Sequence, residues 1–415
     1  MSVMLSAKNQ QTLREQTISD DGPGSILRDF DSLLDFVRTR QLRVSGVHQL
    51  LPMSALAGLN ARLSKPLRLN LSRPQQKSYP HINGLYLLLR ASGLSLIEVS
   101  GRQPVLSLDQ EALASWRGLN ATERYFTLLE AWLLRGEGEI IGDDRDPFGP
   151  LYKCSTFMES LPDAGLKVAG DRQAEQITIP YHVGTYNLAL LELFGCVSVE
   201  EGQPGVGKGW AVARVKRTPF GEALFKLLSQ HRLAAMRLEL GEDELEEASA
   251  FGALQPLLQP FFSEWRRNLE LPEASFVDGL YVFKASLGAK LWRRIAIPAA
   301  LTLDDLSDAI RHAFDFDDDH LYRFSYRDRF GKTMHIGHPF LEEPPSTNEV
   351  AVGELPLRPG ASMEYLFDFG DQWLFDVKLE RVDPPDARLR KPKLLEEHGK
   401  APPQYPNLEE DEEDW

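Results

Sequence analysis

The 415-residue sequence predicts an α+β multidomain protein. Its N-terminal half is mainly helical, and its C-terminal third is an α+β roll of hairpin, helix and further antiparallel strands. Two observations predict the helical half. Apolar residues recur at helical spacing over Ile26–Val37 and Thr122–Leu134, and each run leads toward a β-hairpin pattern. A third predicts the roll. From Leu280 onward the pattern switches to period two, interrupted by one capped helix.

Residues 1–25 are polar, carry Gly22-Pro23-Gly24, and read as a flexible leader. Ile26, Leu27, Phe30, Leu33, Leu34 and Val37 then line one helical face. A second helical run, Leu56–Leu63, stops before Pro66, and Tyr79-Pro80 opens a third that ends at Gly93. Strands are expected at Leu94–Val99 and Val105–Leu108. Helices followed by a hairpin give a winged-helix-like outline over residues 26–117. The outline repeats over residues 118–230. Thr122–Leu134 and Asn187–Phe194 are helical, Cys196–Glu200 and Trp210–Lys216 alternate as strands, and Thr218–Leu228 is a capped helix. Residues 231–272 read as a helical linker with an apolar stripe from Phe251 to Trp265, ending at Pro272.

Residues 273–406 read as the α+β domain. Strands are expected at Tyr281–Ser286, Leu291–Pro298, Leu321–Tyr326, Thr333–Ile336, Glu364–Phe369 and Trp373–Arg381. Thr302-Leu-Asp-Asp305 caps a helix bearing Leu303, Leu306, Ile310 and Phe314 on one face. Between the last two strands lies Asp368-Phe-Gly-Asp371. A protein kinase uses Asp-Phe-Gly to hold Mg²⁺, but with a Gly-rich loop and an Asn five residues after a catalytic Asp. Here Tyr326-Arg-Asp328 is followed five residues on by Thr333, and no Gly-rich loop precedes it. Asp368 and Asp371 read instead as turn residues around Gly370.

Several stretches together resemble the plasmid pRiA4b ORF-3-like family. They are Leu291-Trp-Arg-Arg-Ile295, Leu303-x-x-Leu306, Ile310-x-x-Ala-Phe314, Asp319-His-Leu-Tyr-x-Phe324, Tyr365-x-Phe-Asp-Phe-Gly-Asp-x-Trp373, Leu379-Glu380 and Gly399-Lys-Ala-Pro-Pro-Gln-Tyr-Pro406. The resemblance covers roughly residues 275–406. It implies a compact α+β domain and an association with plasmids or mobile elements, and it implies no catalytic mechanism. Many short members carry a Cys-Pro-Pro-Glu-Asp-like segment after the final strand. Val382-Asp-Pro-Pro-Asp386 holds no cysteine, so no cysteine-linked role carries over.

Composition is that of a globular chain, with 42% hydrophobic and 26% charged residues. No apolar run approaches a membrane span, and the first residues show no secretory h-region. Cys154 and Cys196 imply neither a disulfide framework nor a zinc knuckle. A reducing cytoplasm is therefore expected. Net charge is −15, which opposes non-specific coating of nucleic acid. Residues 31–120 depart from it, with eleven Lys/Arg against five Asp/Glu. Arg62, Lys65, Arg68, Arg73 and Lys77 cluster there and are the candidate DNA contacts of a winged-helix unit. The tail is the opposite. Glu409–Asp414 are six consecutive acids, a solvated segment or a recruiter of a basic protein partner.

Gly202–Gly209 imitates a nucleotide-binding P-loop, but Gly209 replaces its Ser/Thr and a strand follows where a helix is required. It reads as a hairpin turn. Asp317-Asp-Asp-His320, His335-x-x-His338, His312 and Asp371 are metal-ligand types without a recognised spacing. No metal, cofactor or catalytic set is assigned. Trp292, Arg293, Arg294, His320, Asp368, Asp371 and Trp373 make a candidate ligand cleft, with Arg293 or Arg294 paired to Asp368 or Asp371. The function expected is that of a non-enzymatic regulatory or accessory protein of mobile DNA, binding DNA through its N-terminal half. The alternatives are a metal-dependent hydrolase or nuclease using Asp317–His320 and Asp371, and a protein-interaction scaffold.

Overall fold

The computed structural model describes residues 5–100, 103–143, 149–168, 183–235, 251–273 and 275–405. They fall into two compact units. One runs to Pro272 without the short segment 98–103; the other starts at Glu273 and includes that segment.

In the N-terminal unit, α1 (Ala7–Glu15) and α2 (Ile26–Arg38) precede β1 (Leu42–Arg43), α3 (Met53–Asn60) and α4 (Pro80–Ala91). Then come β2 (Ser95–Ser100), β3 (Gln103–Leu108), α5 (Gln110–Gly118) and α6 (Ala121–Leu133). The second half holds α7 (Pro150–Ser160), β4 (Leu166–Lys167), α8 (Thr185–Leu193), β5 (Val197–Glu201), β6 (Val212–Arg217), α9 (Pro219–Ala235) and the one-turn α10 (Gln255–Leu258). Two three-stranded sheets form, ordered β1-β3-β2 and β4-β6-β5. In each, the last strand of the hairpin lies between the other two.

The leader is not loose along its length. Ser6 caps α1, Leu13 is fully buried, and α1 packs on α9. Asn120 and Glu123 close the capping box that starts α6. One hydrophobic core runs from Leu5 to Leu269, through both expected subdomains. Its most enclosed element is α4, in which all twelve residues are buried. α4 packs on α8. A β-carbon on Gly84 would meet Leu190 Cγ at 2.8 Å, so the two helices touch where the side chain is missing. A polar bridge flanks this contact, with His81 Nε2 and Lys65 Nζ on opposite oxygens of Glu192 at 2.9 and 2.7 Å.

Of the segment expected as a helical linker, residues 236–250 lie outside the described residues, and the part over residues 251–272 is core instead. It is helical for one turn, and Leu254, Leu258, Phe262, Trp265 and Leu269 are buried. Trp265 stacks on Phe126, ring centroids 4.6 Å apart. Lacking helical hydrogen bonds, its backbone uses two buried carboxylates of α6. Glu130 accepts the N–H of Gly252 and Leu254 at 2.7 and 2.6 Å, and Glu123 that of Arg266 and Arg267 at 3.2 and 2.9 Å. Buried backbone donors need such partners.

The C-terminal unit is one seven-stranded antiparallel sheet, ordered β10-β9-β11-β12-β7-β8-β13. Its strands are β7 (Leu280–Ser286), β8 (Trp292–Pro298), β9 (Tyr322–Arg327), β10 (Thr333–Gly337), β11 (Ser362–Phe367), β12 (Trp373–Asp383) and β13 (Lys393–His398). The helix α11 (Leu303–Phe314) starts at the expected capping box and ends at Asp315, φ 62°. Leu303, Leu306, Ile310 and Phe314 join the sheet's inward residues in a second core. Tyr365 is fully buried, and its hydroxyl meets Ser307 Oγ at 2.7 Å. The strand not foreseen is β13, an edge strand exposed at all six positions.

Candidate functional site

The Asp368–Asp371 turn joins β11 to β12, with Phe367 opposite Trp373. Asp368 has φ 58°, a conformation that short polar side chains tolerate. Its Oδ1 accepts the N–H of Gly370 and Asp371 at 2.8 and 3.3 Å, and its own N–H donates to Leu321 at 3.0 Å. Oδ2 faces His320 Nε2 at 3.3 Å. This buried carboxylate is thus spent on the turn and on one imidazole. Asp371 is exposed, and its carboxylate joins no ion pair among the described residues.

His320 and its neighbours are held by the chain's own C-terminal segment. Gln404, 6% exposed, accepts the Asp317 N–H at 2.5 Å and donates to Asp319 Oδ1 at 3.0 Å. The Tyr405 hydroxyl donates to Asp319 Oδ2 and lies 2.9 Å from His320 Nε2. That bond lowers the Asp319 pKa and pushes Tyr405 up to about 12. Trp373 and Phe316 meet edge to face with ring centroids 5.0 Å apart, and the enclosed Trp373 Nε1 has no acceptor among the described residues.

The other cleft candidates lie elsewhere on the sheet. Arg293 is buried and donates to the carbonyls of Ala313, His398 and Gly399. Arg294 grips Glu380 with two nitrogens, at 2.7 and 3.2 Å, and also meets Glu396. Trp292 stacks on His398 beneath Lys284 and Arg294. The expected pairing of Arg293 or Arg294 with Asp368 or Asp371 does not occur. Strand alternation sends the two arginines to opposite faces, and each meets a nearer acceptor. The partners missed, Glu380, Gln404 and Tyr405, are distant in sequence; they stand in stretches that carry the family resemblance, but nothing local tied them to Arg294 or to Asp317–His320.

The metal-ligand candidates are also dispersed. His335 Nδ1 contacts Ser325, His338 Nδ1 accepts the Phe340 N–H, and His312 Nδ1 sits on the Asp308 carbonyl. Among the described residues, no group of three or more His, Cys, Asp or Glu is placed to hold a metal ion. Asp328, the would-be kinase aspartate, accepts the Phe330 and Lys332 N–H in a turn.

In the N-terminal unit most of the basic cluster is committed internally. Arg62 pairs with Asp35 at 3.2 Å. Lys65 pairs with Glu192 and Glu201. Lys77 donates to the Gly142 carbonyl. Arg68 and Arg73 are exposed and make no ion pair among the described residues. Gly202–Gly209 is a hairpin loop between β5 and β6, as its missing Ser/Thr implied. Cys154 and Cys196 are buried free thiols, their pKa raised by desolvation. The acidic run Glu409–Asp414 lies outside the described residues. No helix among the described residues is long and apolar enough to cross a membrane.

The protein is therefore of mixed class: a helical unit with two small sheets, and a unit built on one antiparallel sheet with a covering helix. Residues 282–405 match the family model described as plasmid pRiA4b ORF-3-like protein. The chain is 31% identical over 118 residues to the uncharacterized protein y4hQ of Sinorhizobium fredii, covering 27% of this chain and 57% of that one. It is also similar to the crystal structure of a protein of unknown function, MM3350, from Methanosarcina mazei Go1. There the identity is 28%, the coverage 31% of this chain and 73% of the other, and the TM-score 0.28.

Proposed function

We propose that the chain is a non-enzymatic accessory protein of plasmid type that acts as an interaction scaffold. In this reading its N-terminal unit is two winged-helix-like subdomains joined through their third helices. The strand orders β1-β3-β2 and β4-β6-β5, in each of which a short strand between two helices pairs with the later hairpin, support the winged-helix assignment. The carrying observation is the burial of every residue of α4. In helix-turn-helix proteins the recognition helix contacts base edges in the major groove. Here that helix faces α8, so the reading excludes sequence recognition by this route. In the C-terminal unit the fully exposed strand β13 offers unpaired backbone groups of the kind that take up an added strand.

Repeated selection from a random DNA duplex library tests the reading. No consensus is expected to emerge. Enrichment of a defined site would overturn it. Plasmid DNA incubated with the protein and Mg²⁺ or Mn²⁺ is expected to stay intact; metal-dependent cleavage would restore the nuclease alternative.

A further inference from the structure

Two loops of the N-terminal unit meet in a way the sequence did not announce. Asn70 exchanges backbone hydrogen bonds with the hairpin loop, its N–H donating to Lys208 O at 3.1 Å and its carbonyl accepting from Gly207 at 2.9 Å. A β-carbon on Gly209 would lie 3.8 Å from Leu71 Cδ1 and 3.9 Å from the Ser78 carbonyl, so the two loops run side by side there. Residues 61–79 and 202–217 are thereby joined. These two segments carry nine Lys/Arg and no Asp or Glu, in a chain of net charge −15. Arg62, Lys65, Arg214 and Arg217 pair with Asp35, Glu192, Glu200 and Asp163. Arg68, Arg73 and Lys208 stay exposed, with no ion pair among the described residues. Val206, 91% exposed, marks the loop tip.

We propose that this paired-loop ridge binds duplex DNA through its phosphates, without reading bases. Guanidinium groups match phosphate oxygens in bidentate fashion, and a phosphate backbone needs only cations and N–H donors on its partner. A protein partner would call for an apolar centre, and the ridge offers only Val206. A single strand would call for exposed aromatic platforms, yet Tyr79 is buried and Trp210 half-buried. The inference rests on the buried-helix reading above, because it assigns to loops the contact that α4 cannot make.

Fluorescence anisotropy with a short random-sequence DNA duplex tests it. Wild type is expected to bind at low salt, with log K falling against log salt at a slope of about −3 for three neutralised phosphates. The combined reversal R68E/R73E/K208E is expected to weaken binding at least about tenfold, and R68K/R73K to keep the slope. No binding by wild type, or unchanged binding by the reversal, overturns the ridge. Loss of binding without a consensus site leaves the buried-helix reading intact; a consensus site that survives the reversal overturns both. Tighter binding to an RNA duplex or to an acidic polypeptide overturns the assignment to DNA.

Discussion

The N-terminal and C-terminal units use charge in different ways. In the C-terminal unit the ionic residues are held within the sheet and its tight turns. Arg294 on β8 reaches Glu380 on β12 two strands away, and Asp368 closes its own turn. In the N-terminal unit charge serves irregular chain. Glu123 and Glu130 hold the backbone of residues 252–267, and Lys65 ties a loop to α8 and β5. Regular strands satisfy their backbones with each other, which leaves a strand side chain such as Arg294 free to pair with Glu380. A coil crossing a helix has no such ladder and draws on carboxylates. A charged residue in the N-terminal unit is therefore a poor guide to exposed function until its neighbours are known.

This contrast breaks most readily at Trp265. Trp265→Ala removes a fully buried ring and is expected to cost the N-terminal unit about 3–5 kcal/mol. Chemical denaturation would show it; an effect below about 1 kcal/mol would mean the segment is a linker after all. Next comes pH. Burial raises the Glu130 carboxyl to about 7, against the pull of the Gly252 and Leu254 N–H groups and Arg135. A folded pKa above the unfolded one favours the folded state at low pH, and that contribution fades as pH rises from about 4.5 through 7. The change is up to about 1.4 kcal/mol per pH unit. Thermal melts should show Glu130→Gln gaining on wild type as pH rises over that window. A constant difference would contradict the assignment.

Smaller effects sharpen the other side. Asp368→Ala loses the turn's acceptor and places alanine at positive φ, for an expected loss of about 1–2 kcal/mol. Asp368→Asn keeps an acceptor and a tolerated backbone, and should recover most of it. Equal losses from both would point to a role for the charge, through His320. Asp371→Asn is expected to change stability by less than about 0.5 kcal/mol. A larger loss would mean that Asp371 has a structural partner.

Much of the C-terminal unit was legible beforehand. Strands alternating from Tyr281 to Arg381 and the capped helix at Thr302 sit close to their expected bounds, because period and capping are local properties. β13 was not, since Lys393-Leu-Leu-Glu-Glu-His398 is exposed on both faces and shows no alternation. The segment 251–272 misled for a related reason. Its apolar residues suggested a helical stripe, but Pro256 and Pro260 allow only one turn before the chain extends. A usable hint stood nearby: Glu123 and Glu130 are seven residues apart on a helix otherwise rich in apolar residues, with Arg124 its only other charge, which asks for buried donors. The cleft residues were harder. Alternation could say that Arg293 and Arg294 part company, but not that Gln404 and Tyr405 would return to cover Asp317–His320.

Local order was thus fixed by residues near one another in the chain: helix faces, caps, the hairpin at Gly370, and the failure of Gly202–Gly209 as a phosphate loop. Availability was fixed by residues far apart. Arg62, Lys65 and Lys77 looked free and are committed, and α4, read only as a helix from Pro80, is enclosed along its whole length. Lys208 looked like part of a failed motif and lies beside Asn70. Periodicity and turn chemistry act over a few residues, whereas solvent exposure and ion pairing depend on which distant segments pack together.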